Sequence, residues 1–258
     1  MRVLEDEIDR AARSDARVLV VGETGVGKEA VARLIHHRSP RVSAAMVAVT
    51  CEGLPDVLLE SELFGHVRGG FTGAYRDKPG LLEMAQNGTA FVKDVGDMST
   101  RLQLVLLRFL ESGEIQRVGA DRPHLRVSVR VVAATTRDLR ARVGSGAFRE
   151  DLHDRLDGIR LVIPPLRDRT EDIPLLVESF LRSHGRRHAV AKRLSPDAMA
   201  ALVAYRWPGN VRELNSAVER VVLKTRGAVV GVRDLPFRRL RAAPAIPSAA
   251  RPADAAGL

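Results

Sequence analysis

The chain has 258 residues, room for one large domain or for a core with a small satellite. Hydrophobic residues at 45% and charged residues at 28% exclude wholesale disorder and fibrous repeats, and a single cysteine, Cys51, excludes an internal disulfide and a cysteine-based metal centre. The net charge of +9 favours polyanionic partners, although short clusters such as Arg186-Arg187-His188 and Arg238-Arg239 equally suit a solvated surface.

The acidic opening Arg2-Val3-Leu4-Glu5-Asp6-Glu7 lacks the apolar core of a secretion signal. No segment approaches the ~20 apolar residues of a membrane span, so a soluble cytoplasmic protein is expected. Leu4, Ile8, Ala11 and Ala12 follow helical spacing, and residues 17–21 form a short β-branched run, which predicts a helix and then a buried strand. After Gly22-Glu23-Thr24-Gly25-Val26-Gly27-Lys28 a helical pattern resumes over 29–37 through Ala30, Val31, Leu34 and Ile35. Further strands are predicted at 46–49, 89–92 and 127–134, and their alternation with helix-like segments implies a parallel sheet flanked by helices. From about Thr170 the strand pattern stops, and helices are predicted at 171–184, 196–204 and 209–225. The expected organisation is an α/β core over 1–169, a helical domain over 170–240 and an Ala/Pro-rich disordered tail over 241–258.

Gly22 and Gly27, with four residues between them and followed by Lys28, form a P-loop pattern between a predicted strand and a predicted helix. Glycines let the backbone N–H groups turn toward phosphates, the helix N-terminus favours negative charge, and Lys28 supplies a mobile cation. Position 29 is Glu rather than the Ser or Thr whose hydroxyl ligates magnesium in many P-loop enzymes.

Three further segments stand out: Glu60-Ser61-Glu62-Leu63-Phe64-Gly65-His66, Gly69-Gly70-Phe71-Thr72-Gly73-Ala74, and Trp207-Pro208-Gly209-Asn210-Val211-Arg212-Glu213-Leu214. With the P-loop, the chain resembles the AAA+ domain of bacterial sigma-54-dependent transcriptional activators from about Val3 to Leu240. That resemblance implies a P-loop AAA+ domain of three layers followed by a small all-helical lid. It also implies ATP or ADP as ligand, a homo-oligomeric ring of the hexamer type, and sigma-54 RNA polymerase as partner. In the family Glu is the usual residue at the place of Glu29. The nucleotide would be held by Gly22, Glu23, Thr24, Gly25, Val26, Gly27, Lys28 and Glu29, and sensed by Arg212. The loop from Gly69 through Gly70, Phe71, Thr72 and Gly73 to Ala74 would contact sigma-54, with Phe71 at an exposed tip. The alternative is that Phe71 folds back into the core. Gly70 replaces the family's Ala, which predicts a more flexible loop. Arg149 and Arg155 match arginine fingers that reach a neighbouring subunit's nucleotide, the alternative being local salt bridges to Glu150, Asp151 or Asp154. Trp207 and Pro208 read as packing and helix-start residues.

The likeness fails at one strand end. Where the family has Asp-Glu, this chain has Lys93-Asp94 in Phe91-Val92-Lys93-Asp94, and an ammonium at 93 opposes the Mg²⁺ that the family implies. No metal ligand is therefore assigned. Pleat alternation predicts Lys93 at the metal position and Asp94 on the opposite face, one methylene short of the water it would activate. Thr50 and Thr136 also replace asparagines, and a hydroxyl lacks the donor–acceptor pair of a carboxamide. Four altered positions beside an intact phosphate loop predict nucleotide binding with weakened hydrolysis. Another reading is a non-hydrolysing modulator that joins rings of active relatives or sequesters sigma-54. The chain has no evident room for the family's regulatory domain or helix-turn-helix reader, so sequence-specific DNA binding is not expected.

Overall fold

The computed structural model describes residues 2–123 and 125–236; the tail expected at 241–258 lies outside them. By its contacts the chain divides into two units, residues 1–170 together with 206–213, and 171–205 together with the chain from 214 onward.

The first unit is built on five strands, β1 Val18–Val21, β2 Met46–Thr50, β3 Thr89–Lys93, β4 Arg130–Thr135 and β5 Ile159–Val162. They form one sheet in the order β2-β3-β4-β1-β5, every neighbouring pair parallel. Helix α1 Arg2–Arg13 precedes β1; parallel neighbours need crossovers, and helices supply them: α2 Lys28–His37, α3 Asp56–Phe64, α4 Thr100–Ser112, α5 Leu139–Gly144 and α6 Glu150–Leu156. Alternation along the strands sends side chains to two cores. Val18, Val20, Phe91, Val132 and Ala134 pack with Leu4 and Ile8 of α1 and Ile35 of α2. Leu19, Val92, Val131 and Ala133 pack on the other face with Leu59 of α3, Leu106 of α4 and Leu152 of α6. Three layers result, as the resemblance implies.

Two strands differ from their sequence reading. Strand β4 begins at Arg130 rather than at residue 127, and the Arg130 side chain is buried because it caps α1, donating to the carbonyls of Ala11 at 2.6 Å and Ala12 at 3.3 Å. Those are carbonyls that a helix C-terminus leaves without intrahelical partners. Strand β5 went unread because Arg160 interrupts its apolar residues; it lies at the sheet edge, where only Leu161 is buried, between the exposed Arg160 and Val162.

The second unit is helical, with α7 Ile173–His188, α8 Pro196–Ala204 and the greater part of α9 Asn210–Lys224. Ser195 caps α8 by accepting from the Ala198 N–H at 3.2 Å. Helix α7 runs four residues past its expected end, through Gly185, and stops where Ala189 turns left-handed at φ 53°. A two-residue parallel ribbon, Arg193–Leu194 with Val229–Val230, pairs the segment before α8 with the segment after α9. Leu202, Val218, Val221, Val222 and Val230 are buried in this unit. Among the described residues no helix is long and apolar enough to cross a membrane.

Candidate functional site

The loop between β1 and α2 wraps a left-handed turn around the α2 N-terminus. Gly25 has φ +79° and a Cβ there would lie 2.3 Å from the Gly209 carbonyl oxygen, so both backbone conformation and space demand glycine. Lys28 opens α2 and folds back, its Nζ donating to the carbonyls of Gly22 at 2.8 Å and Glu23 at 3.1 Å. Burial lowers the Lys28 pKa; nearby Asp94 pulls it up and Arg212 pushes it down. The lysine is a partly desolvated cation on neutral carbonyls, a group for which an incoming anion is a better partner.

The loop is clamped by residues far along the chain. Asn210 donates through Nδ2 to the Thr24 carbonyl and to Glu23 Oε2, both at 3.0 Å, and its Oδ1 accepts from the Leu166 N–H at 2.8 Å. The Arg212 N–H reaches the Gly25 carbonyl at 3.3 Å, and Arg169 donates to the Val26 carbonyl at 2.7 Å. Arg167 forks onto Glu23 at 2.6 and 2.9 Å, holding that carboxyl below its ordinary pKa, with Asn210 adding to the effect. Arg167, Arg169 and Asn210 were not read as site residues. The one available signal was Asn210 within its Trp-Pro-Gly-Asn turn, at φ 53°, where asparagine is tolerated.

A cavity of about 600 Å³ opens beside the loop. It brings together Thr24, Gly25, Gly27, Lys28 and Glu29 with Thr50, Lys93, Asp94 and Thr136 from three strand ends, and with Arg212. Gly22, Glu23 and Val26 do not line it; Val26 is a core residue. Glu52, Asp97 and Arg137, absent from the sequence reading, do. Lys93 lies inside, its Nζ 3.4 Å from Glu29 Oε2, while Arg33 holds the other Glu29 oxygen at 2.8 Å. Both cations keep the Glu29 carboxyl below its ordinary pKa, Arg33 more strongly. Asp94 corrects the pleat argument: β3 ends at Lys93, and Asp94 turns left-handed at φ 58°, so both residues line the same cavity.

Arg149 and Arg155 lie outside this cavity. Arg149 forks onto Asp151 at 2.7 and 2.9 Å, and Arg155 reaches Glu111 at 3.7 Å. The Gly69-to-Ala74 loop closes on itself through the Gly69 N–H to the Ala74 carbonyl at 2.8 Å, with Ala74 buried and Thr72 and Gly73 exposed. Phe71 is not a free tip: its ring stands edge-on to His66 with centroids 5.1 Å apart, and His66 is held by Ser61 at 2.8 Å. The exposed aromatic is Tyr75, 87% accessible. Gly70 also departs from expectation, since a Cβ there would come within 2.5 Å of the Val118 carbonyl oxygen. Its role is close backbone approach, which anchors the loop.

A parallel sheet with a glycine loop and lysine between its β1 strand and the following helix, opening on a cavity at the strand ends, defines a P-loop nucleotide-binding fold. Residues 1–162 match the sigma-54 interaction domain family and residues 167–251 the AAA+ ATPase lid domain. The chain belongs to the sigma-54 interaction domain family and carries its AAA+ lid. It is 50% identical over 224 residues to the anaerobic nitric oxide reductase transcription regulator NorR of Vibrio vulnificus (strain CMCP6), covering 86% of this chain and 44% of that protein. It is 46% identical over 230 residues to the Nif-specific regulatory protein of Azotobacter vinelandii, covering 89% of this chain and 44% of that protein. NtrX from Brucella abortus solved with ADP superposes with a TM-score of 0.83 at 36% identity, over 91% of this chain and 53% of that one. The same protein solved with ATP gives 0.82 at 35% identity, over 93% and 58%. The chain thus spans about half the length of the curated relatives it matches.

Proposed function

We propose that this chain is an ATP-binding module that regulates transcription by contacting sigma-54 RNA polymerase, with its hydrolytic step weakened. The observation that carries the reading is the Lys93 ammonium on Glu29 inside the cavity that also holds Lys28.

The loop residues fit a nucleoside triphosphate. Glycines leave room for phosphate oxygens near the backbone, a Cβ on Gly27 would meet nothing within 4 Å, and Lys28 can exchange its two carbonyls for an anion. Bound ATP supplies a phosphoryl group primed for transfer, and what the protein contributes is position and electrostatics. Arg212 senses the terminal phosphate from the cavity wall. Arg149 and Arg155 serve a neighbouring subunit in a ring, of this chain alone or mixed with relatives, and Arg149 leaves Asp151 to do so.

Resident Mg²⁺ does not fit these residues. Glu29 is held by Arg33 and Lys93, and Lys93 adds a positive charge where a cation would bind. Asp94, just past the end of β3, orients a water, assisted by Thr50 and Thr136. A second reading rests on the same Lys93: a modulator that does not hydrolyse ATP, joins rings of active relatives or sequesters sigma-54. The Trp207 turn and the helices around it fall within the lid match, so no DNA-reading role is assigned to them.

A fluorescent nucleotide titration with and without EDTA, paired with ATP turnover of the protein alone and mixed with an active relative, tests the proposal. Binding independent of EDTA with slow turnover supports it. No binding, binding unchanged by Lys28→Ala, or turnover equal to the active relative's overturns it.

A further inference from the structure

The second unit holds a cluster that the proposed function leaves unused. His184 and His188 stand four residues apart on α7 and so share one helix face, and Glu219 of α9 lies opposite. One ligand atom from each of the three lies within 4.8 Å of the other two.

His184 is only 5% exposed, and its two nitrogens are unequal. Nε2 lies 2.9 Å from Asn215 Oδ1, an atom that only accepts, so Nε2 carries the hydrogen and Nδ1 presents a lone pair. Among the described residues that buried Nδ1 has no hydrogen-bond partner. It faces Glu219 Oε1 at 3.7 Å, too far for a hydrogen bond. A buried lone pair facing a part-exposed carboxylate, acceptor to acceptor, calls for a cation between them. A proton does not answer well at that separation. A metal does: with bonds of about 2.0–2.1 Å, two ligands of a tetrahedral zinc stand about 3.3 Å apart.

We propose that His184 Nδ1, a ring nitrogen of His188 and a Glu219 oxygen bind Zn²⁺, with water completing the tetrahedron. Two imidazoles and a carboxylate suit zinc over magnesium or calcium, which take oxygen ligands. Asn215 acts from behind, fixing the tautomer and ring angle of His184 as a metal site requires. Exposed His188 swings in from the last turn of α7, and Arg187, 4.0 Å from Glu219 and largely exposed, gives way as a weak surface partner. Bound zinc would pin the end of α7 to α9.

The untagged full chain, stripped with EDTA and free of nucleotide, is titrated with ZnCl₂ by calorimetry and with Co²⁺ by visible absorption. Expected are one zinc per chain and an intense tetrahedral Co²⁺ spectrum. His188→Ala removes an exposed ligand, so the metal-free protein should melt as wild type does while zinc affinity falls roughly tenfold or more. Asn215→Ala should weaken zinc by about 10–100-fold. The proposal is overturned if wild type takes up no stoichiometric zinc, if the Co²⁺ spectrum is that of an octahedral ion, or if His188→Ala binds zinc as tightly as wild type.

Discussion

Lys93 ends β3 with its ammonium in the nucleotide cavity, and its nearest anion is Glu29. If that charge holds back hydrolysis, Lys93→Asp with Asp94→Glu should raise ATP turnover by roughly 10²-fold or more, because it restores a cation ligand and a longer water-activating carboxylate. Thr50→Asn and Thr136→Asn should add to that pair yet do little alone, since they orient groups that the pair supplies. Wild-type turnover already at the level of the double mutant would show that Lys93 does not govern the step. A second residue-scale expectation concerns Cys51, 4% exposed, whose thiol burial pushes up to about 12, with Asp94 and Asp97 adding to the rise. A raised pKa means the folded chain keeps a proton that the unfolded chain releases near 9.0, so this contribution to stability is whole below pH 9 and is lost as pH climbs toward 12. Cys51 should resist thiol reagents in the native protein at neutral pH and react at once in denaturant; fast native labelling would contradict the burial. The identities of both residues were legible in the sequence. The direction of Asp94 was not, because pleat alternation lapses where the strand stops.

Among the elements, the Gly69-to-Ala74 loop shows how a motif can be legible while its conformation is not. Glycines and an aromatic suggest a mobile apolar tip, but long-range contacts decide otherwise: the Val67 N–H donates to the Val118 carbonyl at 3.0 Å, and Gly70 lies against the same carbonyl. Local sequence carries no mark of Val118, 48 positions beyond Gly70. Gly70→Ala should therefore loosen the loop, raising amide hydrogen exchange over 67–75; unchanged exchange would mean the contact adapts without cost. Phe71→Ala should lose about 0.5–1.5 kcal/mol with its edge-on contact to His66, too little to unfold the domain, and should abolish sigma-54 capture in a pull-down. Equal capture by mutant and wild type would remove the loop from the sigma-54 contact. The sheet was more readable than the loop: β1 and β3 are buried along most of their length and β2 is an uninterrupted apolar run up to Thr50, whereas Arg160 breaks the apolar run of edge strand β5.

Across the whole molecule, the first unit is discontinuous in sequence: it needs 206–213 to be complete. Trp207 is fully buried there at φ 49°, and Trp207→Ala should cost about 3–5 kcal/mol, a loss visible in a denaturant melt. Asn210→Ala leaves the Leu166 N–H without its acceptor and removes a donor from the Thr24 carbonyl and from Glu23, which Arg167 still holds. It should lower stability by about 1–3 kcal/mol and weaken nucleotide binding; tight binding with an unaltered melt would show that the clamp is dispensable. The phosphate loop was plain in the sequence, but its clamp was not, because 187 residues separate Asn210 from Glu23. That separation also sets a schedule during synthesis. At about 5–20 residues per second, Asn210 is added roughly 10–40 s after Glu23, so a growing chain carries its glycine loop for that interval with the clamping amide not yet made. The clamped nucleotide site is therefore a late product of translation, and a chain that holds nucleotide this way has already been read through about half of its lid.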